Sequence, residues 1–296
     1  MYIYIKRLVL LVLVLLLSGF AWLTYEQANN LINHPLEMRE LGTKTPEDIG
    51  LRVQEVKISN PQGMRLYGYY GASKNGAYIM LQHGFKADRS YMLEEAKVVQ
   101  DAGYGVLITS VRAHDKNDGQ KITFGVREMQ DLQAWYEYLM AQGAVPGKVG
   151  ILGNSMGAAM AIEYAARNEN IAAVVSVSGF SSLQDTINVS VEYFTGLPAF
   201  PFAPAITAWA QWLLDLEVSQ VDATKAAAQL CQTPILVMQG GADTVVSVSS
   251  GQWIYDAACG PKELWFEEGL GHTKFDRDRP QEYAQRVTQF FAQHLL

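Results

Sequence analysis

Several residue types that mark particular classes of protein are scarce in this sequence. Only two of the 296 residues are cysteine, and a chain of this length does not need disulfides or metals as its main source of stability. Positive charge is not in excess, since 23 Lys and Arg stand against 30 Asp and Glu, which argues against nucleic acid as the main partner. Ten prolines and 25 glycines are ordinary numbers that exclude collagen-like and low-complexity proteins.

Signatures of metal and nucleotide sites are also missing. The sequence has no H-E-x-x-H, no Cys/His ligand spacing, no P-loop and no G-x-G-x-x-G after its first predicted strand. We therefore expect no metal and no cofactor, so that any chemistry comes from side chains. The composition is 49% hydrophobic and 18% charged, which is too apolar for intrinsic disorder and predicts a folded protein.

A long apolar run lies near the N-terminus. Residues 8–25 carry no charge and would extend about 27 Å as a helix, enough for a slightly short membrane crossing. Lys6 and Arg7 precede the run, which predicts a cytoplasmic N-terminus and an exported remainder. We interpret residues 1–25 as a transmembrane anchor that binds the membrane through residues 8–25.

A cleaved signal peptide is the alternative interpretation of this run. Small residues around Gly19-Phe20-Ala21 offer a cleavage site, although the run is longer than a usual signal h-region. Both interpretations place residues 30–296 on the non-cytoplasmic side, either anchored or secreted. A disulfide between Cys231 and Cys259 is compatible with that location, if the two strands that follow these residues are neighbours. The alternative is a pair of small buried thiols.

The rest of the chain alternates short apolar runs with helical patterns. Residues 26–44 are interpreted as a polar connector and residues 45–296 as one globular domain. The first two strands, joined by a turn at residues 60–63, are expected to be antiparallel. The later units predict a mostly parallel sheet with helices on both faces. Eight strands are predicted, at 53–59, 65–70, 77–82, 105–110, 148–153, 171–178, 234–240 and 262–268.

One stretch interrupts the alternation of strands and helices. Residues 180–230 contain no evident strand, and their segment 195–214 is rich in Pro, Phe and Trp. We expect a partly helical cap that covers the carboxyl ends of the strands, where ligands bind in such sheets. A satellite apolar cluster without a ligand role is the alternative.

Candidate catalytic residues follow three of the predicted strands. Ser155 lies in Gly153-Asn154-Ser155-Met156-Gly157, a G-x-S-x-G motif with a predicted strand before it and a helix after it. Its hydroxyl needs a base to become a nucleophile. His272 follows the last strand in a glycine-rich loop and is the expected base, and Asp243 follows the preceding strand and is the expected orienting acid. The other histidines are His34, His83, His114 and His294, and the competing acids are Asp215, Asp222, Asp256 and Asp276.

An oxyanion that forms during acyl transfer needs two backbone N–H donors. Met156 supplies one candidate, since it follows the nucleophile. Phe85, in the loop after the third strand, supplies the other, with Gly84 as the alternative donor. The Phe85 side chain is also expected to shape the pocket for the acyl group.

These motifs together resemble the α/β-hydrolase superfamily. More narrowly, the chain resembles the prolyl-oligopeptidase and serine-aminopeptidase-like branch of single-domain serine hydrolases, many of which carry an N-terminal membrane helix. The order Ser155, Asp243, His272 is the order of nucleophile, acid and base in that superfamily. The resemblance covers about residues 45 to 293 and rests on TPEDIGL (45–51), LQHGF (81–85), GNSMG (153–157), PILVMQGGADTVV (234–246) and GLGH (269–272).

A further part of the resemblance lies between the fourth strand and the helix after it. The segments VRAHDKNDG (111–119) and FGVREMQDL (124–132) are similar to the family's R-x-H-x-x-S-x-G followed by G-x-x-E-x-x-D. The resemblance implies that Arg112, Glu128 and Asp131 pair this loop with the helix. Asp115 and Asp118 depart from the family's pattern, which bears on the shape of the loop.

The resemblance implies hydrolysis of an ester, thioester or amide through an acyl-enzyme, without fixing the substrate. We interpret the protein as a serine esterase for a small-molecule acyl ester. A peptidase with the same triad is the first alternative. An exopeptidase needs a charged group to hold a peptide terminus, and the cap offers few, namely Glu192, Asp215, Glu217, Asp222 and Lys225. A membrane-tethered binding protein without catalysis is the second alternative.

Overall fold

The fold is an eight-stranded sheet with helices around it, seen in a computed structural model that describes residues 1–39 and 41–296. The strands are β1 (Gln54–Ser59), β2 (Arg65–Gly71), β3 (Tyr78–Gln82), β4 (Gly105–Thr109), β5 (Val149–Asn154), β6 (Ile171–Val177), β7 (Ile235–Gly240) and β8 (Lys262–Glu267). The helices are α1 (Tyr2–Ile32), α2 (Leu93–Asp101), α3 (Glu128–Ala141), α4 (Met156–Ala165), α5 (Leu183–Thr195), α6 (Ala199–Leu214), α7 (Ala223–Ala227), α8 (Ser250–Ala257), α9 (Phe275–Asp278) and α10 (Pro280–Leu295).

The sheet has the strand order β1-β2-β4-β3-β5-β6-β7-β8. β2 pairs antiparallel with both β1 and β4, and the other pairs are parallel. This confirms the predicted mostly parallel sheet of eight strands. Every residue of β3, β4 and β7 is buried, as expected for parallel strands covered on both faces. The parallel arrangement brings the carboxyl ends of β3, β5, β6, β7 and β8 to one edge of the sheet.

Two apolar layers lie on the two faces of this sheet. On one face α3, α4, α7 and α8 form a core that includes Trp135 and Ile162. On the other face α2 and α10 contribute Val99 and Phe291 to a second core. The sheet is therefore held in place from both sides, as the sequence pattern predicts.

The N-terminal helix is longer than the predicted anchor. α1 continues past residue 25 to Ile32, so the first part of the predicted connector 26–44 is the end of this helix. Among the described residues, α1 is the one helix long and apolar enough to span a membrane. The chain after α1 is fixed to the domain, because the Arg39 guanidinium donates hydrogen bonds to the backbone carbonyls of Asp115 and Asn117.

Residues 180–230 form helices, as expected, and contain no strand. α5 and α6 pack together beside the carboxyl ends of the strands, and α7 packs on α4. Farther along, Cys231 and Cys259 form a disulfide with their Cα atoms 4.6 Å apart. Both cysteines are exposed, so the disulfide interpretation is confirmed and the buried-thiol alternative is wrong.

Candidate active site

Ser155 occupies a sharp turn between β5 and α4. Its backbone has φ 55° and ψ −118°, a conformation that costs a non-glycine residue about 1–3 kcal/mol. The two flanking glycines are required because neither position has room for a side chain. A Cβ atom on Gly153 would lie 2.1 Å from the carbonyl oxygen of Gly157, and one on Gly157 would lie 2.3 Å from the carbonyl oxygen of Gln82. The motif thus fits a turn that side chains would prevent.

Asp243 and His272 meet at the ends of β7 and β8. His272 Nδ1 donates a hydrogen bond to Asp243 Oδ2 at 2.7 Å. The other carboxylate oxygen, Oδ1, accepts from the backbone N–H groups of Val245 at 2.9 Å and Val246 at 3.0 Å. This arrangement leaves Nε2 of His272 as the nitrogen that can accept a proton.

The electrostatic state of Asp243 follows from these contacts. Burial alone would raise the pKa of its carboxyl group, but the hydrogen bond from His272 and those from Val245 and Val246 outweigh burial and lower that pKa. Asp243 therefore stays ionised in the neutral range. An ionised carboxylate on Nδ1 stabilises the imidazolium that forms when Nε2 takes up a proton.

The competing acids are engaged elsewhere. Asp222 accepts from the backbone N–H of Lys225 at the start of α7, and Asp256 accepts from Gln252. Asp215 ends α6. Asp276 lies near the buried Glu95. In the part of the chain that the structure describes, none of these four makes a hydrogen bond to His272.

Ser155 and His272 lie on neighbouring loops without a direct hydrogen bond in the described chain. The His272 loop is tied to the end of β6, because the N–H of Thr273 donates to Ser178 Oγ at 3.1 Å. The turn at Ser155 is tied to the same strand, because its own N–H donates to the carbonyl of Val177 at 2.8 Å. Hydrogen bonds between nucleophile and base are often loose without substrate, so this geometry is compatible with proton transfer.

The two residues predicted to donate to an oxyanion, Phe85 and Met156, line the same cavity as Ser155. Within residues 1–39 and 41–296, neither the Phe85 N–H nor the Met156 N–H donates a hydrogen bond to another group of the chain. Gly84 is adjacent, since a Cβ atom built on it would lie 3.2 Å from Ser155 Cβ. Two free donors beside a serine hydroxyl are the arrangement that an oxyanion hole requires.

Three histidines other than His272 support the Phe85 loop and the neighbouring loop at residues 111–114. His114 Nε2 accepts a hydrogen bond from the N–H of Lys86 at 2.9 Å, and His83 Nε2 accepts from the N–H of Val111 at 3.0 Å. His34 Nδ1 donates to the carbonyl of Ala113 at 2.8 Å. Burial is the largest cause that lowers the pKa of each of these histidines. They stay neutral at pH 7, and they hold the loop rather than move protons.

An apolar cavity, here called the candidate pocket, opens beside Ser155. The room that it leaves for solvent-sized molecules is about 70 Å³, within a wider depression of about 570 Å³ that includes open solvent. None of its described lining residues is charged, and they come from α1, the Phe85 loop, the Ser155 turn, the cap, the loop before α3 and the loop after β7. They are Leu31, Phe85, Phe124, Ser155, Met156, Phe180, Leu183, Thr186, Ile187, Ser190, Val191, Phe194, Val245 and Val246. Ser155 therefore faces a space suited to an apolar chain.

The participation of Leu31 was missed by the sequence analysis. The helix containing Leu31 was interpreted as an anchor followed by a connector, and neither part was expected near the site. The available signal was the apolar pair Leu31 and Ile32 within a polar stretch, which is too short to predict burial against a distant helix.

A buried carboxyl group lies next to the Ser155 turn. Glu95 Oε1 accepts a hydrogen bond from Asn154 Nδ2 at 2.7 Å. Its Oε2 and the Oδ1 of Asn154 are both buried without a partner in the described chain. Burial, reinforced by the negative charge of Asp276, raises the pKa of Glu95 to about 8. Glu95 is thus neutral at pH 7 and belongs to the support of the turn.

We expect Glu95→Gln to remove part of the pH dependence of stability. The pKa of Glu95 is about 8 in the folded protein against an ordinary value of 4.5. Between these pH values the folded chain holds a proton that the unfolded chain releases, so the free energy of unfolding falls as pH rises. The slope is at most about 1.4 kcal/mol per pH unit. Urea unfolding at a series of pH values measures it.

Glu94→Gln is the matched control for this change. Glu94 is the preceding residue and is exposed at the surface, where it pairs with Lys44. Its replacement should keep most of the decline in stability between about pH 5 and about pH 8, because the Glu94 charge is the smallest of the causes that raise the pKa of Glu95. Parallel curves for the wild type and Glu95→Gln would contradict a proton held by Glu95.

Comparisons with known proteins agree with this architecture. A family model described as alpha/beta hydrolase fold matches residues 78–205. The chain is 28% identical over 223 residues to the uncharacterized protein Rv2307c of Mycobacterium tuberculosis, covering 74% of this chain and 72% of that protein. It is 26% identical over 243 residues to the uncharacterized protein YqkD of Bacillus subtilis, covering 79% and 77%.

A solved structure extends the similarity to most of the chain. The Pyrococcus furiosus esterase Pf2001 superposes with a TM-score of 0.73 at 25% identity, over 90% of this chain and all of the esterase chain. The matched family model begins at β3 and includes the Ser155 turn and β6. Taken with the strand order and the mostly parallel pairing, these similarities identify the architecture of this chain as the α/β-hydrolase fold.

Proposed function

We propose that the protein is a serine hydrolase that cleaves a carboxylic ester through an acyl-enzyme. Ser155 is the nucleophile, His272 the general base and acid, and Asp243 the group that orients His272. The N–H groups of Phe85 and Met156 bind the oxyanion. The observation that carries the proposal is the 2.7 Å hydrogen bond between Asp243 and His272 at the same sheet edge as the strained Ser155 turn. The esterase activity of the Pf2001 neighbour supports it.

The reaction balances with these groups alone. As Ser155 Oγ bonds to the ester carbonyl carbon, its proton moves to His272 Nε2 and the carbonyl oxygen becomes an oxyanion. The carbon–oxygen bond to the leaving group breaks, and the departing alcohol takes the proton from His272. A water molecule then repeats the sequence on the acyl-enzyme, which releases the carboxylic acid and restores Ser155.

The apolar candidate pocket favours an ester over a peptide. None of the cap residues Glu192, Asp215, Asp222 and Lys225 lines it. A peptide terminus would therefore enter without a charged partner, which is costly in an apolar space. An acyl chain requires no such partner.

A peptidase with the same triad is the second candidate, and one observation favours it. Glu217 lines a smaller cavity that shares Phe124, Leu183 and Ile187 with the candidate pocket. A carboxylate there would attract a peptide amino terminus. Glu217→Gln should then reduce hydrolysis of an amino-acid amide while butyrate ester hydrolysis continues.

We further propose that the domain lies on the non-cytoplasmic side of a membrane, anchored by α1. The exposed disulfide between Cys231 and Cys259 supports this location, because such bonds persist in oxidising compartments. Lys6 and Arg7 before the apolar run support the same orientation. Secretion after cleavage of the N-terminal segment is the alternative.

Labelling with a fluorescent fluorophosphonate tests the nucleophile. The probe reacts with an activated serine without needing the natural substrate. We expect the full-length wild type in detergent to be labelled and Ser155→Ala to be unlabelled, with ester hydrolysis reduced about 10⁴-fold or more. A p-nitrophenyl butyrate assay measures the second quantity.

Ser176→Ala is the control, because Ser176 is a nearby serine on β6 whose buried hydroxyl makes no hydrogen bond in the described chain, and it should keep the label. A folded wild type that neither labels nor hydrolyses any ester would contradict the proposal. It would favour the membrane-tethered binding protein instead.

A further inference from the structure

The end of α1 is built into the cap. Thr24, Ala28 and Ile32 are buried in the folded chain. The indole N–H of Trp209 on α6 donates to Thr24 Oγ1 at 3.2 Å, and the same ring packs edge-on against Tyr25 with centroids 5.5 Å apart. The anchor helix and the cap therefore form one packed unit.

α6 runs beside α1 in the same direction. Phe20 contacts Phe202 with ring centroids 5.3 Å apart, and Tyr25 contacts Trp209. At the far end Lys121, which pairs with Asn33 in a short bridge, donates to the carbonyl of Leu213 at 2.7 Å. Successive residues of α6 therefore lie beside successive residues of α1 along the whole length of α6.

The start of α6 lies beside Phe20, the point where α1 leaves the domain and becomes exposed. Residues 2–19 of α1 are all exposed and extend about 27 Å, close to the thickness of a bilayer core. Phe200 is 81% exposed and lies two residues before Phe202, the contact of Phe20, at a kink where the α6 backbone is not helical. A bilayer around residues 2–19 would therefore lie next to the start of α6.

The candidate pocket connects this surface to Ser155. Leu31 of α1 and Phe194 of α5 both line it, together with Ser155. Phe194 is exposed on one side and packs edge-on against Phe85, with centroids 5.4 Å apart, on the other. Leu31 lies about 16 Å along the helix from Phe20. A packed apolar cluster that includes both Phe202 and Leu31 spans this distance, and Leu31 then lines the cavity that contains Ser155.

We propose that the lipid bilayer occupies the exposed surface formed by residues 2–19 and Phe200, and that the substrate is a long-chain acyl ester resident in that bilayer. Its chain lies in the candidate pocket between Leu31 and α5, so the membrane helix forms part of the substrate site. This inference rests on the proposed esterase function. It adds that the substrate comes from the bilayer and that α1 forms part of the surface that binds its acyl chain.

The experiment uses the full-length chain in dioleoylphosphatidylcholine vesicles. Two probes are compared, 4-methylumbelliferyl oleate dissolved in the vesicles and water-soluble p-nitrophenyl butyrate. We expect Leu31→Trp, which fills the pocket, to lower the ratio of oleate to butyrate hydrolysis at least tenfold. Leu31→Phe is a milder variant in case the indole prevents folding. Leu17→Trp, the same change on the exposed part of α1, should not lower the ratio.

A second pair of variants tests which end of α6 lies at the membrane surface. Phe200→Asp places a charge where the bilayer is expected and should lower the same ratio several-fold. Trp212→Asp alters another aromatic residue of α6, which is 69% exposed but lies about 15 Å farther along the helix from the membrane than Phe202. It should leave the ratio as in the wild type.

The source of the ester is tested by mixing two vesicle populations. Oleate ester supplied in separate vesicles should be hydrolysed at least tenfold more slowly than ester in the vesicles that carry the protein. Equal rates of hydrolysis for the two vesicle arrangements would mean that the enzyme takes dissolved ester. An unchanged ratio of oleate to butyrate hydrolysis in Leu31→Trp and Leu31→Phe would mean that another surface or a second copy covers this face. Either result overturns this inference, whereas loss of all esterase activity and labelling in the wild type would overturn the proposed function.

Discussion

Asp243→Asn is expected to lower kcat/KM for a soluble ester by about 10⁴-fold. The reason is that both oxygens of the Asp243 carboxylate accept hydrogen bonds. Oδ1 accepts from the N–H groups of Val245 and Val246 and must remain an oxygen. The amide NH₂ group then takes the position of Oδ2 and donates to His272 Nδ1, which forces the proton onto Nε2. A protonated Nε2 cannot accept the Ser155 proton.

Asp276→Asn is the matched control. It makes the same change in one of the four competing acids, which lies in the neighbourhood of Glu95 and has no hydrogen bond to His272 in the described chain. We expect less than a tenfold effect on kcat/KM from this variant. A large loss in Asp276→Asn combined with a small one in Asp243→Asn would assign the orienting role to Asp276.

Arg112→Met is expected to reduce the free energy of unfolding by about 3–5 kcal/mol. Arg112 Nε and Nη2 donate to the two oxygens of Asp131 at 2.6 and 2.7 Å, and both side chains are 5% exposed. Asn60 donates to the same carboxylate at 2.7 Å. Removal of Arg112 leaves a buried charge without its partner. Urea unfolding of the full chain in detergent measures the loss.

Arg65→Met is the matched control for the salt bridge. Arg65 also pairs with a carboxylate through two nitrogens, but the side chains of Arg65 and its partner Asp118 are 61% and 31% exposed. The urea midpoint should therefore move by only a small part of the shift seen for Arg112→Met. The double variant Arg112→Met/Asp131→Leu should recover much of the loss. Equal shifts for the two single variants would show that burial does not set the cost.

The sheet could be predicted from the sequence because its signals are local. The fully buried strands β3, β4 and β7 are short apolar runs, and the first hairpin contains a turn with Gly63 at φ 76°. The resemblance also implied the pairing of Arg112 with Asp131. Glu128, the first residue of α3, also ties this helix to the loop before it, since it accepts from the N–H groups of Thr123 and Gly125.

The contacts between distant segments could not be predicted. Polar residues such as Glu26 and Gln27 suggested a solvated connector after residue 25, but the helix continues because its other face packs against α6. Which helix would cover Ala28 depends on the path of the cap. The order of Ser155, Asp243 and His272 predicted neighbouring strand ends, because parallel strands bring those ends together. Their catalytic roles stay a prediction.

The burial of Ala28 has a consequence for handling the protein in solution. Val191, Ala203 and Ile206 of the cap form a small apolar cluster with Ala28. A chain shortened to remove α1 would present this cluster to water and would leave the Trp209 indole without its acceptor. Exposed apolar patches of this kind promote self-association. Solubility would therefore be gained more reliably by exchanging the outward residues of 2–19 for polar ones than by deleting the helix.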